Sequence, residues 1–296
     1  MKVITPRELP TAKLHSYMLS AIAPRPICFA STVDEKGNVN LSPFSFFNAF
    51  GSNPTTLIFS PARRVRDNTI KHTLENAVAT REVCINVVTY EMVYQTSLAS
   101  VEYPKGVDEF KKAGFTPIPS DLIKAPRVKE SPVQIECRVR DIIETGTEGG
   151  AGNLIICEIL RMHITEDVLG EDGMIDQRKI HLVARMGRDW YCKAFGDALF
   201  EVEKPNTKIG IGYDAIPEAI RLSSILTGNN LGQLGNIEIL PGADEIAAFV
   251  AANRELEEIL HRLQADRENL DAQKHLMAKH LLEQNRTADA WKVLLA

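Results

Sequence analysis

The 296-residue chain lacks the features of several large classes of protein. It has no apolar run approaching the roughly 20 residues that a transmembrane helix requires, and its first segment, MKVITPRELP, contains no apolar core of a secretory signal. Positive charge is not in excess, since 34 Lys and Arg stand against 39 Asp and Glu and give a net charge of −5. We therefore expect no membrane partner and no nucleic-acid partner, because a general nucleic-acid binder is usually basic.

Cysteine is scarce and shows no pairing pattern. The five cysteines have no C-x-x-C spacing, and an odd number cannot all pair within one chain. Four of them lie in apolar, strand-like segments, where a free thiol behaves as a small apolar side chain: Cys28, Cys84, Cys137 and Cys157. A reduced, cytoplasmic setting is the expectation that follows.

Motifs of common catalytic, metal and nucleotide sites are missing or out of context. There is no H-E-x-x-H zinc motif and no G-x-S-x-G nucleophile elbow, so we expect no bound metal and no hydrolase triad. The segment GIGYDA at 210–215 matches G-x-G-x-x-A, but the preceding KPNTK is not the strand that a dinucleotide fingerprint requires. GTEGGAG at 146–152 lacks the Lys-Ser/Thr of a P-loop and is predicted to be a mobile hairpin tip.

What is present is a series of short apolar segments with strand character, separated by turn residues. Strands are predicted at 27–33, 39–44, 55–60, 82–88, 132–145, 153–164 and 179–186, with helices near 13–20 and 67–80. So many strands with so few helices predict a closed or nearly closed antiparallel β barrel with inserted helices.

The composition changes after about Lys204, where the strand pattern stops. A helix is predicted to begin at Pro217, and an apolar stripe from Phe249 to Leu263 predicts another. Two more are predicted around Leu270–Leu282 and over Thr287–Leu295. The chain is therefore predicted to have two domains, a barrel at 1–204 and an α-helical extension at 205–296.

The segment NLSPFSFFN at 40–48, together with the basic segment that follows it, carries the strongest functional signal. Ser42 and Ser45 offer hydroxyls, and Pro43 is expected to interrupt the strand ladder and leave neighbouring N–H groups free. Arg63, Arg64 and Arg66 precede a helix predicted to begin at Asp67–Thr69. An aromatic ring system that carries a phosphate needs apolar walls and N–H groups for the ring, and arginines and hydroxyls for the phosphate. A hairpin, a solvated basic loop and a capped helix fit the same spacing equally well.

In order along the chain, the segments PRPICFASTVDEKGNVNLSPFSFFN, RDNTIKHTLEN, VCINVV, the long hairpin, EDGMID and ARMGRDWY resemble the flavin reductase-like family, which includes flavoredoxin-type proteins. The resemblance runs from about Ala23 to Phe195 and implies an FMN-binding split β-barrel. It also implies that the flavin ring lies along SPFSFF, that the phosphate sits at Asp67–Thr69, and that the protein is a homodimer with flavin near the subunit interface.

The resemblance and the residue pattern together define a candidate cofactor-binding set: Arg25, Thr32, Ser42, Pro43, Phe44, Ser45, Phe46, Asn48, Arg64, Arg66, Asp67, Asn68, Thr69 and Arg185. The family often has Lys-Asp-Thr before the phosphate-binding helix, whereas this chain has Arg66-Asp67-Asn68-Thr69. That difference leaves open whether Arg64 or Arg66 meets the phosphate.

The function implied by the resemblance is that of an NAD(P)H-dependent flavin reductase. NADH or NADPH would reduce FMN, and the electrons would pass to free flavin, oxygen or a partner monooxygenase. No catalytic side chain is expected, because the cofactor carries the chemistry. Two alternatives remain open: a flavin-dependent electron carrier without a nicotinamide step, and a non-catalytic interaction protein built on the barrel.

Overall fold

A computed structural model describes residues 1–205 and 208–296. The chain forms two compact units, Met1–Phe200 and Glu201–Ala296. Residues 206 and 207, which belong to the KPNTK segment and to the predicted second domain, lie outside the described residues. That the barrel and the helical region are separate domains, with the boundary near 204, stays a prediction.

The first unit is built mainly from antiparallel strands. Its strands are β1 Cys28–Val33, β2 Val39–Phe44, β3 Phe47–Ser52, β4 Thr55–Phe59, β5 Glu82–Val87, β6 Pro117–Ile118, β7 Arg127–Val128, β8 Val133–Glu144, β9 Asn153–Ile164, β10 Leu182–Arg185 and β11 Tyr191–Ala194. Helix α1 Thr11–Ala21 precedes the strands, and three helices lie between them: α2 His72–Thr80, α3 Val93–Leu98 and α4 Glu109–Ala113.

Seven of these strands form one sheet in the order β2-β1-β5-β8-β9-β4-β3. The two edge strands, β2 and β3, are consecutive in the chain, with only Ser45 and Phe46 between them. A sheet whose opposite edges are joined by two residues must curl until those edges meet, although no ladder pairs β2 with β3. The prediction of a barrel is therefore confirmed, and the barrel is split at this junction.

Strand β1 packs on both of its faces, so the sheet is covered by apolar side chains on its outer as well as its inner side. All six of its residues are buried, and alternate side chains enter two different apolar clusters. Cys28 and Ala30 pack with Phe59 and Leu74, whereas Phe29 packs with Phe110. The four strand cysteines are buried free thiols, as their apolar surroundings predict.

Helix α2 begins later than the sequence predicts. It starts at His72, so the prediction of a helix from Asp67 was wrong. The reason is local, because the Asp67 carboxylate accepts hydrogen bonds from the main-chain N–H and the hydroxyl of Thr69 (3.1 and 2.6 Å), while Asn68 adopts a left-handed φ of 57°. These contacts form a turn that competes with the helical conformation.

The sequence patterns did not predict strands β3 and β11 or the two-residue strands β6 and β7. Most residues of β3 are exposed, so this edge strand lacks the apolar alternation that identifies a half-buried strand.

The second unit is helical: α5 Glu218–Arg221, α6 Gly228–Gly235, α7 Ala243–Ala252, α8 Arg254–Arg262, α9 Arg267–Glu283 and α10 Thr287–Leu295. The predicted continuous stripe from 249 to 263 is broken at Asn253, whose side chain accepts from the Leu256 N–H and caps α8. Trp291 lies fully buried at the centre of the unit's own core and donates to the Leu234 carbonyl (3.0 Å). None of the helices in the described residues combines the length and apolarity needed to span a membrane.

Candidate functional site

The structure brings the two predicted halves of the site together at one end of β4. Strand β3 pairs with β4, with Phe47 opposite Phe59, and the Ser60 N–H donates to the Phe46 carbonyl (2.8 Å). Three residues after Ser60 the chain enters residues 63–69, which we name the arginine loop. Segment 42–48, which we name the strand junction, is therefore adjacent to the arginine loop.

The arginine loop is a closed turn rather than the start of a helix. The Arg64 N–H donates to the Thr69 carbonyl and the Asn68 N–H donates to the Arg64 carbonyl, both at 2.9 Å. The Asp67 carboxylate bridges to Thr69 across the turn, and these hydrogen bonds lower the pKa of Asp67. Because the loop is closed by its own hydrogen bonds, it presents its basic side chains from a defined backbone.

The tip of the β8–β9 hairpin is hydrogen-bonded to the arginine loop. Arg63 and the tip exchange main-chain hydrogen bonds, from the Arg63 N–H to the Ala151 carbonyl (2.8 Å) and from the Gly150 N–H to the Arg63 carbonyl (2.9 Å). A Cβ on Gly149 would lie only 3.0 Å from the Arg64 carbonyl oxygen. GTEGGAG is thus the tip of a hairpin, as predicted, and Gly149 permits its close packing against the arginine loop.

Arg64 and Arg66 converge on the carboxylate of Glu102. The Arg64 Nε lies 2.9 Å from one oxygen and an Arg66 terminal nitrogen lies 2.5 Å from the other. These hydrogen bonds, from Arg66 first and then Arg64, lower the pKa of Glu102. Arg64 also donates to the Thr69 hydroxyl (2.8 Å), and its side chain is 16% exposed, whereas that of Arg66 is 72% exposed. Both arginines are therefore paired with Glu102 in this structure.

A further cation stands beside this pair. Burial and the neighbouring positive charge of Arg64 lower the pKa of Lys71, which follows the arginine loop. The two arginines can bind two oxygens of a single anionic group, and a hydroxyl and a lysine lie close by. This arrangement is suited to a phosphate.

The strand junction presents polar and aromatic groups where β2 ends and β3 begins. Ser42, Ser45 and Phe46 are half-buried, and Asn48 is exposed. The Ser45 hydroxyl accepts a long hydrogen bond from Arg25 (3.4 Å), and the Phe46 ring meets His15 edge-on with centroids 6.0 Å apart. Ser42, Ser45, Phe46 and Asn48 are therefore the residues of the strand junction that we take as accessible to a ligand.

Pro43 does not interrupt the ladder of β2. It pairs in register with Phe29, as an edge strand allows, so the expectation that it interrupts the strand ladder was wrong. The break in the ladder falls two residues later, at Ser45 and Phe46. Phe44 is buried and packs on Phe59 with centroids 5.5 Å apart, which makes it a core residue.

Two other predicted site residues serve the fold. Arg25 is buried, and its guanidinium donates to three main-chain carbonyls, those of Leu19, Ile22 and Met186. Burial, with the nearby Arg185, lowers the pKa of Arg25. Thr32 is fully buried, and its hydroxyl accepts a hydrogen bond from Asn76 (3.0 Å). We therefore leave both outside the candidate site.

Arg185 lines a separate groove of about 500 Å³ beside the β10–β11 hairpin and α3. The groove is rich in tyrosine and contains two cations; its lining includes Tyr90, Tyr94, Ser97, Arg185, Tyr191 and Lys193. The Arg185 guanidinium lies 4.6 Å from the centre of the Tyr191 ring, and the Lys193 ammonium lies 4.3 Å from that of Tyr90.

Asp121, Glu136 and His163 also meet, with one potential ligand atom from each within 4.8 Å of the others. Glu136 is fully buried and accepts from His163 (2.6 Å) and from the N–H groups of Asp121 and Leu122 (2.9 and 2.7 Å). Arg161 pairs with Asp121 at 2.6 Å. A cation would have to displace these partners, so we assign the cluster a structural role.

A comparison of the sequence with models of known families shows the family of this chain. The family model described as "Flavin reductase like domain" matches residues 19–183, which include the strand junction, the arginine loop and the long hairpin. The chain belongs to the flavin reductase-like family. The match ends before the second unit, so residues 201–296 lie outside it.

Individual relatives agree with this assignment. An uncharacterized protein of Aquifex aeolicus is 34% identical over 189 residues, which is 64% of this chain and 94% of that protein. Nitrilotriacetate monooxygenase component B from Bacillus cereus is 27% identical, with a TM-score of 0.64 over 68% of this chain and 98% of its own. Flavoredoxin of Desulfovibrio vulgaris shares the fold at 24% identity, with a TM-score of 0.51 over 60% of this chain and 90% of its own.

Several residues of the site were not found from the sequence. Glu102 lies in the loop after α3, and no local pattern ties it to arginines 36 and 38 positions earlier. The tyrosines of the groove are likewise scattered along the chain. Only the barrel topology brings such residues together.

Proposed function

We propose that this chain is an FMN-binding oxidoreductase, an NAD(P)H-dependent flavin reductase that passes electrons to free flavin, oxygen or a partner monooxygenase. The observation that carries the proposal is the adjacency of the arginine loop and the strand junction at one end of β4. This adjacency gives a phosphate-bearing aromatic ring both of the environments that it needs within one small region.

The residues of the arginine loop fit the phosphate of FMN. A phosphate offers the two oxygens that Glu102 now presents to Arg64 and Arg66, and it carries more negative charge than a carboxylate. We infer that the phosphate replaces Glu102 and meets both arginines, with Thr69 and Lys71 beside it. This proposal answers the question that the sequence left open between Arg64 and Arg66.

The strand junction would hold the flavin ring. Its main chain at Ser45 and Phe46, which lies outside the strand ladders, and the hydroxyls of Ser42 and Ser45 can bond a polar ring edge, and Phe46 supplies an apolar contact. The proposed cofactor set is Ser42, Ser45, Phe46, Asn48, Arg64, Arg66, Asp67, Asn68 and Thr69. When bound, flavin accepts a hydride and releases electrons, while the chain's residues bind and orient it.

Two features of the wider proposal rest on the family. We propose that the chain is a homodimer and that a monooxygenase is one possible electron acceptor, since the Bacillus cereus relative is named as a monooxygenase component. Sedimentation of the purified protein tests the dimer. Turnover with added oxygen, free flavin or ferric complexes compares the acceptors.

One experiment tests the central proposal. The purified protein should show a flavin absorbance spectrum, alone or after addition of FMN, and the pigment released on denaturation should be FMN. Anaerobic NADH or NADPH should then bleach that absorbance. Arg64→Ala should weaken FMN binding by about 1.5–3 kcal/mol, the range for a hydrogen bond to a charged group.

The same experiment separates the alternatives. Bound flavin that neither nicotinamide can bleach would favour an electron carrier without a nicotinamide step. A colourless protein that ignores added FMN, and whose Arg64→Ala variant behaves like the parent, would favour a non-catalytic interaction protein.

A further inference from the structure

We propose that the groove lined by Tyr90, Tyr94, Arg185, Tyr191 and Lys193 binds the adenosine-diphosphate half of the nicotinamide co-substrate. This inference rests on the proposed function. The groove's volume of about 500 Å³ falls within the range of small-molecule clefts, about 300–1,000 Å³. It lies within the first unit but outside the strand junction and the arginine loop.

The aromatic lining suits a nucleotide base. Three tyrosines face one groove, and Tyr94 is 85% exposed. An apolar ring left in solvent has no packing role in the monomer, whereas a flat ring at the mouth of a groove can stack on adenine. The hydroxyl of Ser97 adds a polar contact for a ribose or a phosphate.

The charges of the groove suit a pyrophosphate. Arg185 and Lys193 lie against tyrosine rings, and within the described residues neither forms an ion pair with a carboxylate. This is the opposite of the arginine loop, where Glu102 already pairs with both arginines. Asp189 also lines the groove, but within the described residues it forms no ion pair with either cation. The adenosine-diphosphate group could therefore stack its base on a tyrosine ring and place its phosphates beside the two cations without displacing an internal partner.

The groove is also connected to the proposed flavin site. The main chains of Arg185 and Arg25 exchange hydrogen bonds (3.0 and 2.9 Å), and Arg25 donates to the Ser45 hydroxyl. Arg25 therefore contacts both a residue that lines the groove and a residue of the strand junction. A co-substrate anchored in the groove by its adenosine half is thus held beside the place where its nicotinamide must deliver a hydride.

The test compares four variants in the FMN-loaded protein. Lys193→Ala removes a cation, Tyr94→Ala removes the exposed ring, and Tyr94→Phe keeps the ring. Lys112→Ala is the matched control, because Lys112 also lies over a tyrosine, Tyr103, at 5.6 Å but lines no part of the groove. KM and kcat are measured with NADH and NADPH, and calorimetry measures the binding of ADP-ribose, which cannot reduce flavin.

The expected result is a rise in KM and in the ADP-ribose Kd of about 10-fold for Lys193→Ala, equivalent to losing one hydrogen bond to a charged group. Tyr94→Ala should raise both by about 5-fold, and Tyr94→Phe should restore them to within about two-fold. Lys112→Ala should match the parent. The FMN Kd reports separately on the arginine loop.

Three outcomes would overturn the inference. Unchanged KM and ADP-ribose Kd in every variant would place the co-substrate elsewhere while leaving the flavin reductase intact. Failure of the parent to bind ADP-ribose, with FMN still bound, would refute the proposed role of the groove but not the proposed flavin site. Dissociation of a dimer by Tyr94→Ala, with dinucleotide binding unaltered, would make the groove a subunit interface. If FMN itself does not bind, the proposed function fails, and ADP-ribose binding still decides the role of the groove.

Discussion

Replacing Glu102 by Gln should make the protein bind FMN more tightly. Glu102 holds Arg64 and Arg66 at 2.9 and 2.5 Å, at the position that we assign to the phosphate. In the unliganded protein its carboxylate is therefore an internal competitor for the cofactor. Glutamine keeps the size and shape of the side chain but removes the charge, so both arginines become easier to recruit.

The magnitude follows from how exposed the competing contact is. Glu102 is 38% exposed and its partner Arg64 is 16% exposed, so their ion pair belongs with partly exposed pairs, which contribute about 0.2–1 kcal/mol. Losing that competition should lower the FMN Kd by about 1.4- to 5-fold. The pair with Arg66 is screened by solvent, because Arg66 is 72% exposed, and adds little.

Fluorescence titration of FMN at low and high ionic strength measures this effect. Glu158→Gln is the matched control, since Glu158 is 32% exposed and pairs with Arg140 at 3.3 Å on the long hairpin. The gain for Glu102→Gln should shrink as salt screens the charges, and the control should show none. If Glu102→Gln binds FMN as the parent does, or more weakly, Glu102 positions the arginines instead of competing for them, and our placement of the phosphate is wrong.

Three further predictions concern the loop support, the buried carboxylate and the second unit. Gly149→Ala should weaken FMN binding by about 5-fold or more, because a Cβ would lie 3.0 Å from the Arg64 carbonyl; an unchanged titration would separate the hairpin tip from the site. Burial acts to raise the pKa of Glu136, but hydrogen bonds from main-chain N–H groups and His163 outweigh it and lower the pKa below its ordinary value of 4.5. The stability that Glu136 contributes should be present above about pH 4.5 and lost below it, so the Tm gap between parent and Glu136→Gln should narrow on acidification; a constant gap refutes this. Trp291→Ala should cost about 3–5 kcal/mol in denaturant unfolding followed by circular dichroism, and a loss below about 1 kcal/mol would contradict its central place in the helical core.

Most strands of the barrel and several helices of the second unit could be predicted from local patterns. Strand β9 and helix α10 lie where the sequence places them, at 153–164 and 287–295, because each combines a clear apolar period with clear turn residues at its ends. The missed edge strand β3 has no such period, because most of its residues are exposed and its two faces do not differ in burial. What holds β3 in place is pairing with β4, which is a tertiary contact.

The proposed site keeps only part of the set predicted from the sequence, and three of the residues left out of it share a cause. Arg25, Thr32 and Phe44 were included because of where they stand in the family pattern, but all three are buried in the fold. A sequence shows which residue types could touch a ligand, whereas burial decides which of them can. Glu102 shows the converse, because its role depends on a loop that returns to the arginines after α2, β5 and α3.

The error at Asp67 changes the physical account of the proposed phosphate site. A helix beginning at Asp67 would offer N–H groups and a helix dipole, which bind an anion through fixed backbone groups. Here α2 begins at His72, and the loop before it offers mainly side-chain charge from Arg64, Arg66 and Lys71. Side-chain charges can be neutralised by an internal carboxylate, as Glu102 does, whereas a helix dipole cannot be switched in that way. Occupancy of the site should therefore depend on the loop that carries Glu102 as much as on the arginines themselves.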